Sequence, residues 1–392
     1  MRASSSSFTS DPPEVTHRRL SLARRAASRP RTAALAGRPG AGGASDPCML
    51  RRMANQGAAA PFLAVQTESA DPAWFEIERS IIEPAGGRVL VQRASSQEER
   101  ATLLRDAQAV LVGSARIDGP LLEQVPGLEL IIRYGVGIDT LDVDAATRHG
   151  VVVAHYPDFC QPEVANHALM LLLAVARKVV LHDRSIRNGA YRGVPLPISP
   201  PLTGQTLGIV AFGNIGRHMA RRALAMDMRV LAFDPYLPDS VFAEHGVERA
   251  PTLDALLEDS DHISIHAPLT PDTHHLFSRE QFARMRPGAI LVNTARGPIV
   301  EEAALVEALR EGRLGGAGID VFEVEPVPPL SPLVGFDNVV LTPHSAFYSE
   351  RSNRHIKERI GRTVVAFMEG RWPDEFATIP NRHEVTPKRA LR

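Results

Sequence analysis

Two successive series of short, β-branched apolar runs, each separated by segments of helical pattern, restrict this chain to one kind of architecture. The first series is Phe62–Gln66, Arg88–Gln92, Ala109–Gly113, Leu128–Ile132 and Val151–Ala154, with helical patterns between them such as Ala73–Ile82, Glu98–Ala107 and Asp142–Arg148. The second is Thr206–Ala211, Arg229–Phe233, His262–His266, Ala289–Asn293, Gly316–Val321 and Val339–Leu341. Runs this continuously apolar read as strands covered on both faces, and covered strands alternating with helices are parallel strands in βαβ units. The expectation is an α/β chain with two doubly wound parallel-sheet domains, over residues 56–160 and 161–342. Residues 343–380, with an amphipathic pattern at Tyr348–Glu369, are expected to return to the first domain. Residues 381–392 are polar and basic and are expected to form a loose tail.

At 392 residues the chain is long enough for two such domains. Its 44% hydrophobic and 23% charged content suits a chain that buries cores, and with 5% aromatics those cores must rest on Leu, Val, Ile and Ala. The net charge of −1 conceals an asymmetry: ten Arg against three acids give residues 1–52 a charge of +7, so the remainder carries −8. An acidic body does not attract polyanions, so nucleic acid is not expected as a partner of the folded part. Residues 1–55 show no apolar periodicity and are expected to be a disordered extension. Their Arg- and Ser-rich composition fits an organellar transit peptide. The favoured alternative makes Met53 the true start, because it directly precedes a short polar run and the first strand. A helical pattern over Pro162–Asn188 is followed by a linker containing Pro195, Pro197, Pro200 and Pro201. The longest apolar run, Ala168–Ala176, falls well short of the roughly 18 residues a membrane span needs, so a buried helix and no membrane partner are expected. Cys48 and Cys160 have no metal spacing, which points to no metal and a reduced, cytoplasmic protein.

The second series opens with strand, turn, helix, strand and acid in the order of a dinucleotide fingerprint. Leu207–Ala211 runs into Phe212-Gly213-Asn214-Ile215-Gly216, a helical pattern follows, and the next strand ends at Asp234, 21 residues after Gly213. Gly213 allows close backbone approach to a pyrophosphate, Gly216 allows helix to pack on strand, and the helix N-terminus offers amide donors. Asp234 suits the ribose hydroxyls of NAD and repels the 2′-phosphate of NADP, and Pro235 and Tyr236 supply no cation. The first glycine of the usual pattern is replaced by Ala211, which requires a negative φ there. The second domain is therefore read as a Rossmann-like NAD-binding domain and the first as a flavodoxin-like substrate domain, with the active site in the cleft between them.

Three strand ends of the second series carry residues suited to keto-acid chemistry: Asn293-Thr294-Ala295-Arg296-Gly297, Asp320 through Pro326, and Thr342-Pro343-His344-Ser345-Ala346. A cation to hold a carboxylate, a proton donor and a tuning carboxylate are what such a reaction needs. Glu323 competes with Glu325 as the partner of His344. His266 ends a strand beside the cleft, His274 and His275 read as solvated loop residues, and Cys160 as a packed thiol.

With these motifs the chain resembles the D-isomer-specific 2-hydroxyacid dehydrogenases over about Ala58 to Asn381. Arg133-Tyr134-Gly135-Val136-Gly137-Ile138-Asp139 and His344 through Glu350 are similar to loops of the branch around the C-terminal-binding proteins. The resemblance implies an NAD-dependent oxidoreductase that reversibly reduces a small 2-keto acid to a D-2-hydroxy acid, akin to glyoxylate, hydroxypyruvate and phosphoglycerate enzymes. It implies that Arg296 binds the carboxylate and carbonyl oxygen, that His344 is the acid/base, and that Glu325 pairs with it. Arg133, Gly135, Val136, Gly137 and Phe347 match substrate-binding positions. Val164, Ala267, Pro268, Thr273, Thr294, Ala295 and Asp320 match cofactor-contacting ones. A homodimer is implied, with the helix near Val164–Val180 in its interface. The alternative is an NAD(H)-sensing dimeric scaffold, resembling that branch's co-repressors, with little turnover. Phe347 stands where the branch commonly has Trp, which implies a wider acyl pocket. A formate oxidiser is disfavoured, because such members usually have Gln where Glu325 stands.

Overall fold

In the computed structural model, residues 61–190, 201–329 and 331–392 are described, and the stretch 1–55 and the prolines 195, 197 and 200 lie outside them. Strands β1 (Leu63–Gln66), β2 (Arg88–Val91), β3 (Ala109–Val112), β4 (Leu130–Arg133) and β5 (Val152–Ala154) form a parallel sheet in the order β2-β1-β3-β4-β5. That is the flavodoxin-like order expected from the sequence. Side chains alternate across it: Ala109 and Leu111 join one apolar cluster, Val110 and Val112 the other. The first cluster is closed by the C-terminal helix Glu350–Met368, whose Ile356, Ile360, Val364 and Phe367 are buried on one stripe. Burying each contributes roughly 1.5–3 kcal/mol. Ser349 caps this helix, accepting the Ser352 amide at 3.0 Å. A β-carbon on Gly361 would lie 2.9 Å from Ile81, so glycine permits close approach to the helix Glu76–Ile82.

The second sheet has seven parallel strands: β6 (Thr206–Val210), β7 (Arg229–Phe233), β8 (Glu248–Arg249), β9 (His262–Ile265), β10 (Ala289–Asn293), β11 (Leu314–Ile319) and β12 (Val339–Leu341), in the order β12-β11-β10-β9-β6-β7-β8. Six were expected. The seventh, β8, is a two-residue exposed edge strand of Glu and Arg, without an apolar pattern to reveal it. The chain leaves β6 toward β7 and returns to β9 on β6's other side, and this reversal is where doubly wound sheets bind dinucleotides.

The helical pattern 162–188 is two helices, α5 (Gln161–Ala176) and α6 (Val179–Arg187), bent by 62° at Lys178, whose φ is 52°. This corrects the single long helix expected from the sequence: one left-handed residue breaks the hydrogen-bond ladder. Helix α5 presses on β11, and a β-carbon on Gly318 would lie 2.7 Å from that of Leu171.

The expected loose tail at 381–392 is also corrected. Asn381 is buried, accepts the Val153 amide at 3.1 Å and donates to the Val151 carbonyl at 2.9 Å. Lys388 donates to the Leu128 carbonyl at 2.7 Å, and Arg389 pairs with Glu129 at 2.8 Å. These polar side chains are spent on backbone groups and one carboxylate beside β4 and β5. Among the described residues no single helix is long and apolar enough to cross a membrane.

Candidate active site

The turn after β6 has the shape a dinucleotide needs. Gly213 caps the helix Asn214–Leu224, and a β-carbon there would meet nothing within 4 Å, so the helix N-terminus is approachable. Gly216 lies against the Ala211 carbonyl and 3.3 Å, measured from an added β-carbon, from Ile209 Cγ2. Helix and strand therefore meet only because that residue has no side chain. Ala211 has φ 68°, which corrects the expectation of a negative value. A left-handed alanine costs roughly 1–2 kcal/mol, and the Ala211 amide is held on the Phe233 carbonyl at 2.9 Å. Asp234 sits where the fingerprint requires, its carboxylate accepting the amides of Phe212 at 2.9 Å and Tyr236 at 3.0 Å. The residues present fit a nicotinamide dinucleotide.

The strand ends β10, β11 and β12 bring the three chemical residues into one neighbourhood. His344 Nδ1 lies 2.8 Å from Glu325 Oε2, and Glu325 Oε1 accepts the Phe322 amide at 3.0 Å. Burial alone would raise the Glu325 carboxyl. The His344 hydrogen bond and charge, the Phe322 amide and the Arg296 charge outweigh it and hold the group below the usual carboxylate range. Glu323 is not the partner of His344: its carboxylate binds His275 at 2.7 Å and the Glu302 amide at 2.9 Å. His275 is thereby engaged rather than solvated.

Arg296 donates from Nε to Asp139 at 3.0 Å and from Nη1 to the Ala295 carbonyl at 2.8 Å. Its guanidinium lies so close to Gly137 that any β-carbon there would collide with it. Asp139 stood in the sequence motif without a role; it orients the arginine across 157 residues of chain. Neither the Val136 nor the Gly137 amide has a protein acceptor among the described residues. Two such donors beside a guanidinium suit a carboxylate. Gly135 gives its carbonyl to the Tyr156 amide at 3.2 Å, which fixes the loop. Arg133 is buried and folds back on the Tyr134 carbonyl at 2.7 Å; burial, with the Arg296 charge nearby, brings it down to about 10.

Asp320 is buried and serves the histidine loop. It accepts the Ser345 and Ala346 amides at 2.9 Å each and the Thr342 hydroxyl at 2.6 Å. Burial works to raise its carboxyl, but these bonds and one from His167 hold it below the ordinary range. The sequence placed Asp320 at the cofactor, singled out Thr342 only as the start of the histidine segment, and gave no sign of His167, whose Nε2 lies 2.9 Å from Thr342 Oγ1.

Among the other expected cofactor positions, Thr273 braces its loop by donating to the Pro268 carbonyl at 2.7 Å. Ala267 is buried, and the Thr294 hydroxyl is buried with no partner among the described residues. Val164 lies in the apolar cluster with Phe159 and Cys160, presenting little surface to a dinucleotide. Burial, with Glu163 and Asp158 adding to it, pushes the Cys160 thiol up to about 12, in keeping with a packed thiol.

A sequence model described as D-isomer specific 2-hydroxyacid dehydrogenase, NAD binding domain, matches residues 169–346. A glyoxylate reductase of Korarchaeum cryptofilum is 40% identical over 293 residues, covering 74% of this chain and 85% of that protein. The chain belongs to the D-isomer specific 2-hydroxyacid dehydrogenase family. Solved structures agree. An NADPH-dependent glyoxylate/hydroxypyruvate reductase from Sinorhizobium meliloti, in complex with NADP and malonate, superposes with TM-score 0.74 at 29% identity, covering 85% of this chain and 100% of its own. A D-lactate dehydrogenase from Aquifex aeolicus, complexed with NAD and lactic acid, gives 0.71 at 28% identity, covering 78% and 96%. This dehydrogenase is thus an oxidoreductase with a Rossmann NAD(P)-binding domain, and the expected fold class, enzyme class and nicotinamide cofactor hold.

Proposed function

We propose that this dehydrogenase reversibly reduces a small 2-keto acid to the D-2-hydroxy acid with NADH. The observation that carries the reading is the His344–Glu325 pair at 2.8 Å beside Arg296, on the neighbouring strand ends β10, β11 and β12 of the sheet whose β6 carries the dinucleotide turn. Arg296 holds the substrate carboxylate and polarises the carbonyl oxygen, with the Val136 and Gly137 amides completing the carboxylate site. A nicotinamide dinucleotide, when bound, would supply the hydride. His344, with Nδ1 committed to Glu325, presents Nε2 to the oxygen and gives it a proton, so hydride and proton together make the alcohol. Glu325 orients the ring and compensates its charge. Asp320 sets the turn that carries His344.

Asp234 supports NAD over NADP, since its carboxylate repels a 2′-phosphate. Within the family, the loops at Arg133–Asp139 and His344–Glu350 support a place beside the C-terminal-binding proteins, and helix α5 supports a homodimer. Arg296→Ala in the full chain is expected to lower kcat/KM for keto acids by about 10²–10³ while NADH binding persists. Tight NADH binding with no turnover of any 2-keto acid by the unmodified protein would contradict the enzyme reading and favour an NAD(H)-sensing scaffold.

A further inference from the structure

The loop that offers the Val136 and Gly137 amides is tied to its surroundings residue by residue. The Tyr134 amide donates to the Val112 carbonyl at 2.7 Å, the Gly135 carbonyl accepts the Tyr156 amide at 3.2 Å, and the Val136 carbonyl lies 2.8 Å from His155 Nδ1. Those bonds hold the backbone. A side chain of the loop is held as well: the Tyr134 hydroxyl donates to Glu78 Oε1 at 2.7 Å, across 56 residues of chain. Phe75 meets the Tyr134 ring edge-on, with centroids 6.1 Å apart, and fixes its plane.

Glu78 is an unusual residue for its place. It lies on the helix Glu76–Ile82, is fully buried, and its Oε2 has no partner among the described residues. Burying a carboxylate with one oxygen unpartnered is unfavourable, and an apolar side chain of similar volume would fill the position with less penalty. Burial raises its carboxyl, and the Tyr134 hydroxyl and the Lys357 charge only partly offset this. Packing therefore does not explain the residue. Its bond to Tyr134 does, because Tyr134 directly precedes the segment that carries the free amides.

We propose that Glu78 is a positioning residue for the substrate-carboxylate site: through the Tyr134 hydroxyl it fixes the segment Gly135–Gly137 so that the Val136 and Gly137 amides serve the same anion as Arg296. This rests on the reduction reading above, which supplies that anion. Gly135 has φ 156°, a backbone region open to glycine, so the residue itself restrains the loop little and its neighbours must do so. The carboxylate is present in the keto acid and in the transition state alike. A loosened loop therefore weakens the binding of both equally, so KM rises while kcat holds. A residue that served stability alone would not produce that split.

The test measures the dissociation constant of oxamate, a 2-keto-acid mimic that is not reduced, for the NADH-loaded full-length protein, together with KM and kcat for glyoxylate. Tyr134→Phe keeps the ring against Phe75 and removes only the hydroxyl. It should weaken oxamate binding and raise KM by about tenfold each, with kcat and NADH affinity within about twofold of the parent. Glu78→Met, which lacks an acceptor, should do the same, and the double variant should be no worse than either single one. Glu78→Gln keeps an oxygen for the phenol and should restore most of the affinity. Parent-like oxamate binding in Tyr134→Phe overturns the proposal, as does a loss in Glu78→Gln as large as that in Glu78→Met; Tyr134→Phe decides alone if the Glu78 variants do not fold. Oxamate binding by the parent without turnover of any keto acid removes the reduction reading and leaves the binding comparison to decide the role of Glu78. A parent that does not bind oxamate removes both.

Discussion

His344 has a φ of 52°, a backbone state that side chains with a β-carbon rarely adopt. It persists because the loop is pinned from several directions: its own amide reaches the Asp320 carbonyl at 2.7 Å, and the next two amides reach the Asp320 carboxylate. Strain held this way at a reacting residue keeps the imidazole aimed without reorganisation. Burial has a different consequence at His262. That ring is 3% exposed, with Nε2 2.8 Å from Gln205 Oε1. Burial, only partly offset by Asp261, pulls it down to about 4. The unfolded side chain takes up a proton below about 6.5, the folded one only near 4, so the unfolded state binds more protons between these values. Stability is therefore full above that window and declines as the pH falls through it. Denaturant midpoints measured from pH 7 to pH 4 should show the decline, and His262→Gln should flatten it; an unaltered slope would refute the assignment. At this scale the sequence was informative wherever a residue type and its strand-end position defined a task, as for Arg296, Glu325 and His344. It was silent where the partner is remote, as for Asp139 and His167, and it misjudged Ala211, whose φ depends on what the turn is bonded to.

Among elements, α5 lies so close to β11 that only glycine fits at position 318. Gly318→Ala places a methyl against Leu171 with backbone on both sides, which should destabilise the fold by about 1–3 kcal/mol. A melting temperature within a degree of the parent would show that the helix yields more easily than the geometry implies. Strands were legible because continuous apolar runs bounded by turns have few other uses. The bend between α5 and α6 was not, because Arg177 and Lys178 are good helix formers and nothing local marks a break. Strand β8 was hidden for the opposite reason: Glu248 and Arg249 are held by pairing at a sheet edge, not by burial.

For the molecule as a whole, the alternating pattern implied two parallel sheets, and the sheets fix where strand ends converge. The C-terminal segment shows the limit of such reading: its polar composition suggested a loose tail, yet Asn381, Lys388 and Arg389 bind carbonyls and a carboxylate that only the folded sheet presents. Helices α5 and α6 leave Met170, Val179 and Ile186 exposed at 41%, 52% and 54%. These exposed apolar side chains support the proposed homodimer, and sedimentation at micromolar concentration should give twice the chain mass; the mass of one chain would contradict it. The central claim is that His344 gives a proton to a keto-acid oxygen as hydride arrives from NADH. NADH oxidation followed by absorbance with the full chain and a panel of 2-keto acids tests it most directly. The account predicts turnover of at least one acid, falling by about 10²–10⁴ in His344→Gln with NADH affinity retained; undiminished turnover in that variant would contradict it.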